Sequence, residues 1–190
     1  MGENIQAAFI FLVQVIFSMY SAVVILRILL QLFGASYYNP LSQFCVTLTD
    51  PVVKPLKRLM PKVRFDLASL LFLYVLTVFK LVLLQLIQVG MLFGVLGTLL
   101  LAIPDIINQV LDIYFFAILA MVILSWVAPA NNSPMIDALI TITEPVLAPI
   151  RRVISPIAGF DLSPLVVMIG VKLASLIIVA PLVGVARYFI

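Results

Sequence analysis

A chain of 190 residues, 65% hydrophobic and only 10% charged, is too apolar for one water-soluble core, because soluble domains carry roughly 45–50% apolar and about 25% charged residues. The mean hydropathy of +1.30 makes lipid the solvent for the remainder. With no histidine and Cys45 as the single cysteine, the usual zinc sites, a Cys–His pair, a Ser–His–Asp triad and an internal disulfide are excluded.

The formal net charge of +3 bears on loop topology and anionic headgroups rather than on nucleic acid. Met1-Gly2-Glu3-Asn4 lacks the basic stretch and cleavage site of a signal peptide. Gln6 stands where a myristoylation signal has Ser or Thr. The first apolar stretch is therefore expected to remain as a transmembrane helix. Cys45 reads as a small buried apolar residue, with palmitoylation as the alternative.

A membrane helix takes about 20 predominantly apolar residues, and residues 5–33, 67–89, 106–127 and 164–187 each qualify. Residues 90–104 are apolar and rich in glycine (Gly90, Gly94, Gly97). At about 1.5 Å per residue they fall short of a core of roughly 30 Å, so they read as a turn or re-entrant piece extending a long helical hairpin, or as a helix extension. Segments 34–66 and 128–163 hold most of the charges and many of the prolines. In the first, Leu41, Phe44, Cys45, Leu48, Val52, Pro55, Leu56 and Leu59 share one side of a helix. Pro51 and Pro55 argue against one unbroken helix. Two short helices on the membrane surface are predicted instead, capped at Asn39-Pro40 and Thr49-Asp50-Pro51.

The two loops are copies. Thr49-Asp50-Pro51-Val52-Val53-Lys54-Pro55-Leu56-Lys57-Arg58 aligns without gaps on Thr143-Glu144-Pro145-Val146-Leu147-Ala148-Pro149-Ile150-Arg151-Arg152. One residue of slippage later, Phe65-Asp66-Leu67-Ala68 meets Phe160-Asp161-Leu162-Ser163, and upstream Pro40 matches Pro134. Residues 1–89 and 105–190 thus form two units, each a transmembrane helix, an amphipathic surface stretch and a second transmembrane helix. Lys54, Lys57, Arg58, Lys62, Arg64, Arg151 and Arg152 fall in the loops, and no Lys or Arg precedes Arg27 or lies between Lys80 and Arg151. The positive-inside rule places both loops in the cytoplasm and both termini in the periplasm. The predicted fold is an all-α membrane protein of four transmembrane helices in two parallel repeats, unlike the inverted repeats of many transporters.

Asn39-Pro40, Thr49-Asp50-Pro51, Pro55, Lys57-Arg58, Pro61 and Asp66, then Ile123-Leu124-Ser125-Trp126, then Thr143-Glu144-Pro145, Pro149-Ile150-Arg151-Arg152, Pro156 and Gly159-Phe160-Asp161-Leu162-Ser163-Pro164 closely resemble the YggT (YlmG) family across both units. The first copy departs from the fuller pattern, with Arg64 for the Gly before Phe-Asp and Ala68-Ser69 for Ser-Pro. The resemblance implies a bacterial inner-membrane protein with relatives in cyanobacteria and plastids. It also implies links to osmotic-stress tolerance and ion homeostasis, or in other branches to membrane organisation or nucleoid placement. It brings no established catalytic activity and no cofactor.

Polar residues inside the spans are costly and so point to function. Asp105, Asn108 and Asp112 share one face with Gln109, and Thr77, Lys80, Gln85 and Gln88 share a broader one. Antiparallel spacing predicts a ladder of Lys80 with Asp112, Gln85 with Asn108 and Gln88 with Asp105. Two readings stay open for it: glue between helices at about 1 kcal/mol per hydrogen bond, or an ion or proton path. Arg27 and Lys172 either snorkel to the interface or bind loop acids such as Asp66 or Asp161. The basic loop residues either meet anionic headgroups or merely hold the loop inside the cell. Ser69, Ser125 and Ser163 have no base nearby, Asp137 and Glu144 lie far from other acids, and no Gly-rich phosphate loop occurs, so no enzyme is expected. Two functions remain: a channel or transporter accessory in osmotic and ion homeostasis, or a membrane-organising protein acting through its surface helices. Four helices leave little room for a pore in one monomer, so transport implies oligomers or a membrane-protein partner.

Overall fold

The computed structural model describes residues 2–61, 66–91, 94–127, 133–154 and 161–189, and these are helical apart from short turns. In chain order the helices are α1 (Gly2–Leu32), α2 (Pro40–Leu59), α3 (Leu67–Val89), α4 (Val95–Val127), α5 (Pro134–Val153) and α6 (Ser163–Ala174). A π-helical turn, Ser175–Val179, joins α6 to α7 (Ala180–Arg187). Four stretches are long and apolar enough to cross a membrane: Asn4–Leu32, Leu67–Val89, Val95–Val127 and Ser163–Arg187. The shortest, at 23 residues, is about 35 Å long, enough for a hydrocarbon core of roughly 30 Å.

One expectation is narrowed and another corrected. Residues 95–104 extend the helical hairpin as the first part of α4, which holds Pro104 buried in its interior. Helix α3 ends at Val89 and α4 begins at Val95. Gly90 ends α3 at φ 76, a left-handed conformation that glycine adopts without strain, and its N–H bonds the Leu86 carbonyl at 3.0 Å. Pro51 and Pro55 do not split the first loop, since α2 runs unbroken through both, as α5 does through Pro145 and Pro149. Each proline removes the N–H that would bond the carbonyl four residues back. Those carbonyls belong to Thr47 and Pro51 in α2, and to Thr141 and Pro145 in α5. Thr47, Pro51 and Pro145 are exposed, so the surroundings can satisfy their carbonyls. The predicted cap at Thr49-Asp50 is consequently mid-helix.

Asn39 does cap α2, its Oδ1 accepting from the Leu41 N–H at 2.9 Å. The Nδ2 of Asn39 donates to the Pro134 carbonyl, so the starts of α2 and α5 are joined. The two loop helices therefore lie at the same end of the bundle, α2 against α1 and α3, α5 against α4 and α6. The core gathers at that end. Val24, Ile25, Leu29 and Leu30 of α1 meet Cys45, Leu73, Ala117, Ala138 and Ile142. A second cluster joins Ile118, Leu147, Val167 and Val171. Elsewhere the long helices turn Phe9, Phe11, Met19, Phe116, Leu176 and Ile177 outward, as lipid-facing surfaces do.

Candidate functional site

Polar side chains inside the spans form two chains of contacts along one face of α4, one to α3 and one to α6. In the first, the buried Lys80 ammonium of α3 reaches Asp105 Oδ2 at 2.5 Å, and Gln109 Nε2 donates to the same oxygen at 2.6 Å. In the second, Asn108 Nδ2 donates to Asp112 Oδ2 at 3.0 Å, and Lys172 Nζ of α6 reaches Asp112 Oδ1 at 2.8 Å. Lys172 also lies 4.6 Å from the Phe115 ring centroid, a cation–π contact. Ser175 Oγ donates to Asn108 Oδ1 at 2.7 Å from the first residue of the π turn. π turns recur where a helix gives up regularity for a site. Between the two chains, Asp105 and Asn108 line a cavity of about 240 Å³ together with Leu81, Pro104, Val179 and Val183.

The predicted pairings of the ladder are not the ones formed. Lys80 pairs with Asp105 rather than Asp112, and Gln85 Nε2 donates to Thr98 at 2.9 Å rather than meeting Asn108. Gln88 does not meet Asp105; its backbone carbonyl lies 3.4 Å from Gln6 Nε2. The cause is the turn. Facing residues of an antiparallel pair are equidistant from the reversal, and α4 begins at Val95, nearer to α3 than the sequence suggested. Asp112 then lies beyond the reach of Lys80 and turns to α6. Thr98, absent from the predicted ladder, becomes reachable once the turn is placed, and Lys172 and Ser175 join from α6 and the π turn.

A second charged cluster lies where α1, α2 and α3 meet. Arg27, only 6% exposed, donates from Nη1 to Thr49 Oγ1 at 2.5 Å and to Asp50 Oδ1 at 2.8 Å. Its Nε stands 3.7 Å from Asp66 Oδ2, too far for a hydrogen bond. Lys57 closes on Asp66 at 2.7 Å, and Lys54 on Asp50 at 2.8 Å. Asp66 also caps α3, accepting from the Ser69 N–H and hydroxyl. Burial works against ionising both carboxyls. The hydrogen bonds outweigh it, from Lys54 and Arg27 at Asp50 and from Lys57 and Ser69 at Asp66, and hold both pKa values below the usual range. Burial also pushes the Cys45 thiol up to about 11, so it is a poor nucleophile at neutral pH.

The corresponding place in the second half is built differently. Thr143 Oγ1 meets the sulfur of Met121 at 2.7 Å, and Met121 stands as far before Thr143 as Arg27 does before Thr49. The acids are served from the surface instead, Arg151 reaching Glu144 at 2.8 Å and Asp161 at 2.9 Å. Burial disfavours ionisation of Asp161 as well, but hydrogen bonds from Ser163 and Arg151 lower its pKa. Lys172 does not reach Asp161 as expected, because Asp112 holds it deeper in the span. Ser163 donates its N–H to Asp161 Oδ1 at 2.9 Å, next to Pro164 in the first turn of α6. Pro40 opens α2, and Arg58 and Arg152 are exposed near the ends of α2 and α5. Lys62, Arg64, Phe65, Pro156, Gly159 and Phe160 lie outside the described residues.

Four apolar spans and an all-helical build among the described residues make this a multi-pass membrane protein. The CCB3/YggT family model matches residues 6–87 and 100–182, so the chain belongs to the CCB3/YggT family. An uncharacterized protein from the proC 3′ region of Vibrio alginolyticus is 44% identical over 167 residues, covering 87% of this chain and 90% of that one. An uncharacterized Pseudomonas aeruginosa protein is 36% identical over 189 residues, 93% of this chain and 90% of the relative. Escherichia coli K12 YggT, also uncharacterized, is 34% identical over 161 residues, 84% and 82% of the two chains. No solved structure matches.

Proposed function

We propose that this protein works in the bacterial inner membrane as an ion-handling component, a channel subunit or transporter accessory that supports osmotic-stress tolerance and ion homeostasis. In this reading the chain is two parallel repeats. Helices α2 and α5 are amphipathic and rest on the cytoplasmic leaflet, the termini face the periplasm, and copies associate or join another membrane protein. It carries out no group-transfer chemistry. The observation that supports it is the cavity at Asp105 and Asn108, flanked by the Lys80 and Lys172 ion pairs in helices otherwise made for lipid. Charged groups at such depth are costly, and ion and proton paths are among the uses for which they are kept.

Proteoliposomes test it: a cation or proton flux lost in Asp105→Asn and in Lys80→Met supports the reading, and no flux from the wild type contradicts it. A second reading, membrane organisation through the surface helices, draws on Phe44, Leu48, Val52 and Leu59, an apolar stripe exposed along α2. A partner captured through α2 and α5, with no flux, would favour that reading.

A further inference from the structure

Beside the Arg27 cluster, α1 and α2 enclose a cleft of about 420 Å³. Leu30, Ala35 and Val46 make its walls apolar, and Arg27, Lys54 and Lys57 bring positive charge to it. A second hollow of about 440 Å³ shares Tyr37, Val46, Asp50 and Lys54 with it and runs on past Thr47 and Pro51. Together they make a groove along α2 rather than a closed pit.

Two donors in the cleft have no acceptor. The Ser42 hydroxyl is buried, with the residue 7% exposed, and makes no hydrogen bond. The Nε of Arg27, 6% exposed, is likewise without one. Buried donors left unpaired cost free energy, so they mark a place where an acceptor belongs. Asp50 also lines the cleft, but its two oxygens are taken by Arg27 and Lys54. Lys57 is paired with Asp66 behind the cleft, so three cations stand against two carboxylates and the place keeps one positive charge in excess. Lys54 and Lys57 keep further N–H donors beyond the ones they use, since an ammonium has three.

We propose that this groove binds an acidic phospholipid, with the headgroup phosphate at Lys54 and Lys57 on the side of the unpaired Arg27 Nε, and an acyl chain running along Leu30 and Val46 toward Ser42. The inference rests on the placement of α2 in the leaflet surface proposed above. Only a ligand that is anionic at one end and apolar beside it matches both halves of the lining. Thr47, whose carbonyl loses its helical donor to Pro51, offers an acceptor to a headgroup hydroxyl at the far end of the groove. The second half lacks the pattern: Ala148 stands for Lys54 and Met121 for Arg27.

Native mass spectrometry of the full chain in neutral detergent tests this, with phosphatidylglycerol, phosphatidylcholine and inorganic phosphate as probes. Phosphatidylglycerol is expected to bind, and Lys54→Gln to weaken it about fivefold, the share of one basic residue near an anionic surface. Arg152→Gln on α5 should leave it unchanged. Equal binding of phosphatidylcholine, or equal weakening by Arg152→Gln, overturns the site. Saturation by inorganic phosphate with no preference for lipid overturns the lipid as its occupant. A Cys45 thiol that stays closed to maleimide shows that each variant is folded. Binding is read in detergent and α2 placement by labelling in vesicles, so failure of one is distinct from failure of the other.

Discussion

The two halves of the molecule neutralise the same pair of acids by opposite means. In the first half a buried arginine from a spanning helix reaches Thr49 and Asp50 and lies beside Asp66. In the second, Met121 fills that place and Arg151, 37% exposed, crosses the surface to Glu144 and Asp161. A buried charge is held only while its partners remain, whereas a surface pair shares its work with water. The first half is thus locked from within and the second is fastened from outside.

Substitution at the matched positions should expose that difference. Arg27→Met leaves Asp66 buried with Lys57 as its remaining basic partner. It is expected to cost about 3–5 kcal/mol, as breaking a buried pair does, read as accelerated maleimide labelling of Cys45 in detergent. Lys80→Met strands Asp105 in a span and should cost about 2–3 kcal/mol by the same readout. Thr49→Ala removes the hydroxyl that accepts from Arg27 and donates to the Cys45 carbonyl at 2.6 Å, for about 1–2 kcal/mol. Thr143→Ala, which loses only a sulfur contact and a carbonyl bond, should cost less. Arg151→Ala should come last, at under about 1 kcal/mol. An Arg151→Ala loss as large as that of Arg27→Met would erase the contrast.

Acid sharpens it further. The folded pKa values of Asp50 and Asp66 are depressed. Their contribution is therefore complete above the ordinary aspartate value of about 3.9 and is lost as pH falls through the lower folded values. Thermal unfolding should shift downward from about pH 4, and Asp66→Asn should flatten that dependence while lowering stability at pH 7.

The spans were legible because apolar runs of that length have one physical use, and Asn39 followed by Pro40 announced the start of α2. The continuity of α2 through Pro51 and Pro55 was not, because a sequence does not say whether a lost carbonyl partner falls on an exposed face. The partner of Lys80 was equally hidden. A displacement of the turn by a few residues moves every facing pair, and Gly94 and Gly97 drew attention away from a helix that starts at Val95. Arg27 was marked as a charge in a span with Asp66 as one partner. Its bonds to Thr49 and Asp50 emerged only when α2 proved to be one helix.

The shared frame of the two halves rests on α2 and α5 facing the same solvent. Cys45 is buried, so Arg58→Cys and Arg152→Cys can each be labelled without a native thiol competing. With an impermeant maleimide, both should react in inverted membrane vesicles and neither in right-side-out ones. Reaction of one from each side would contradict the arrangement.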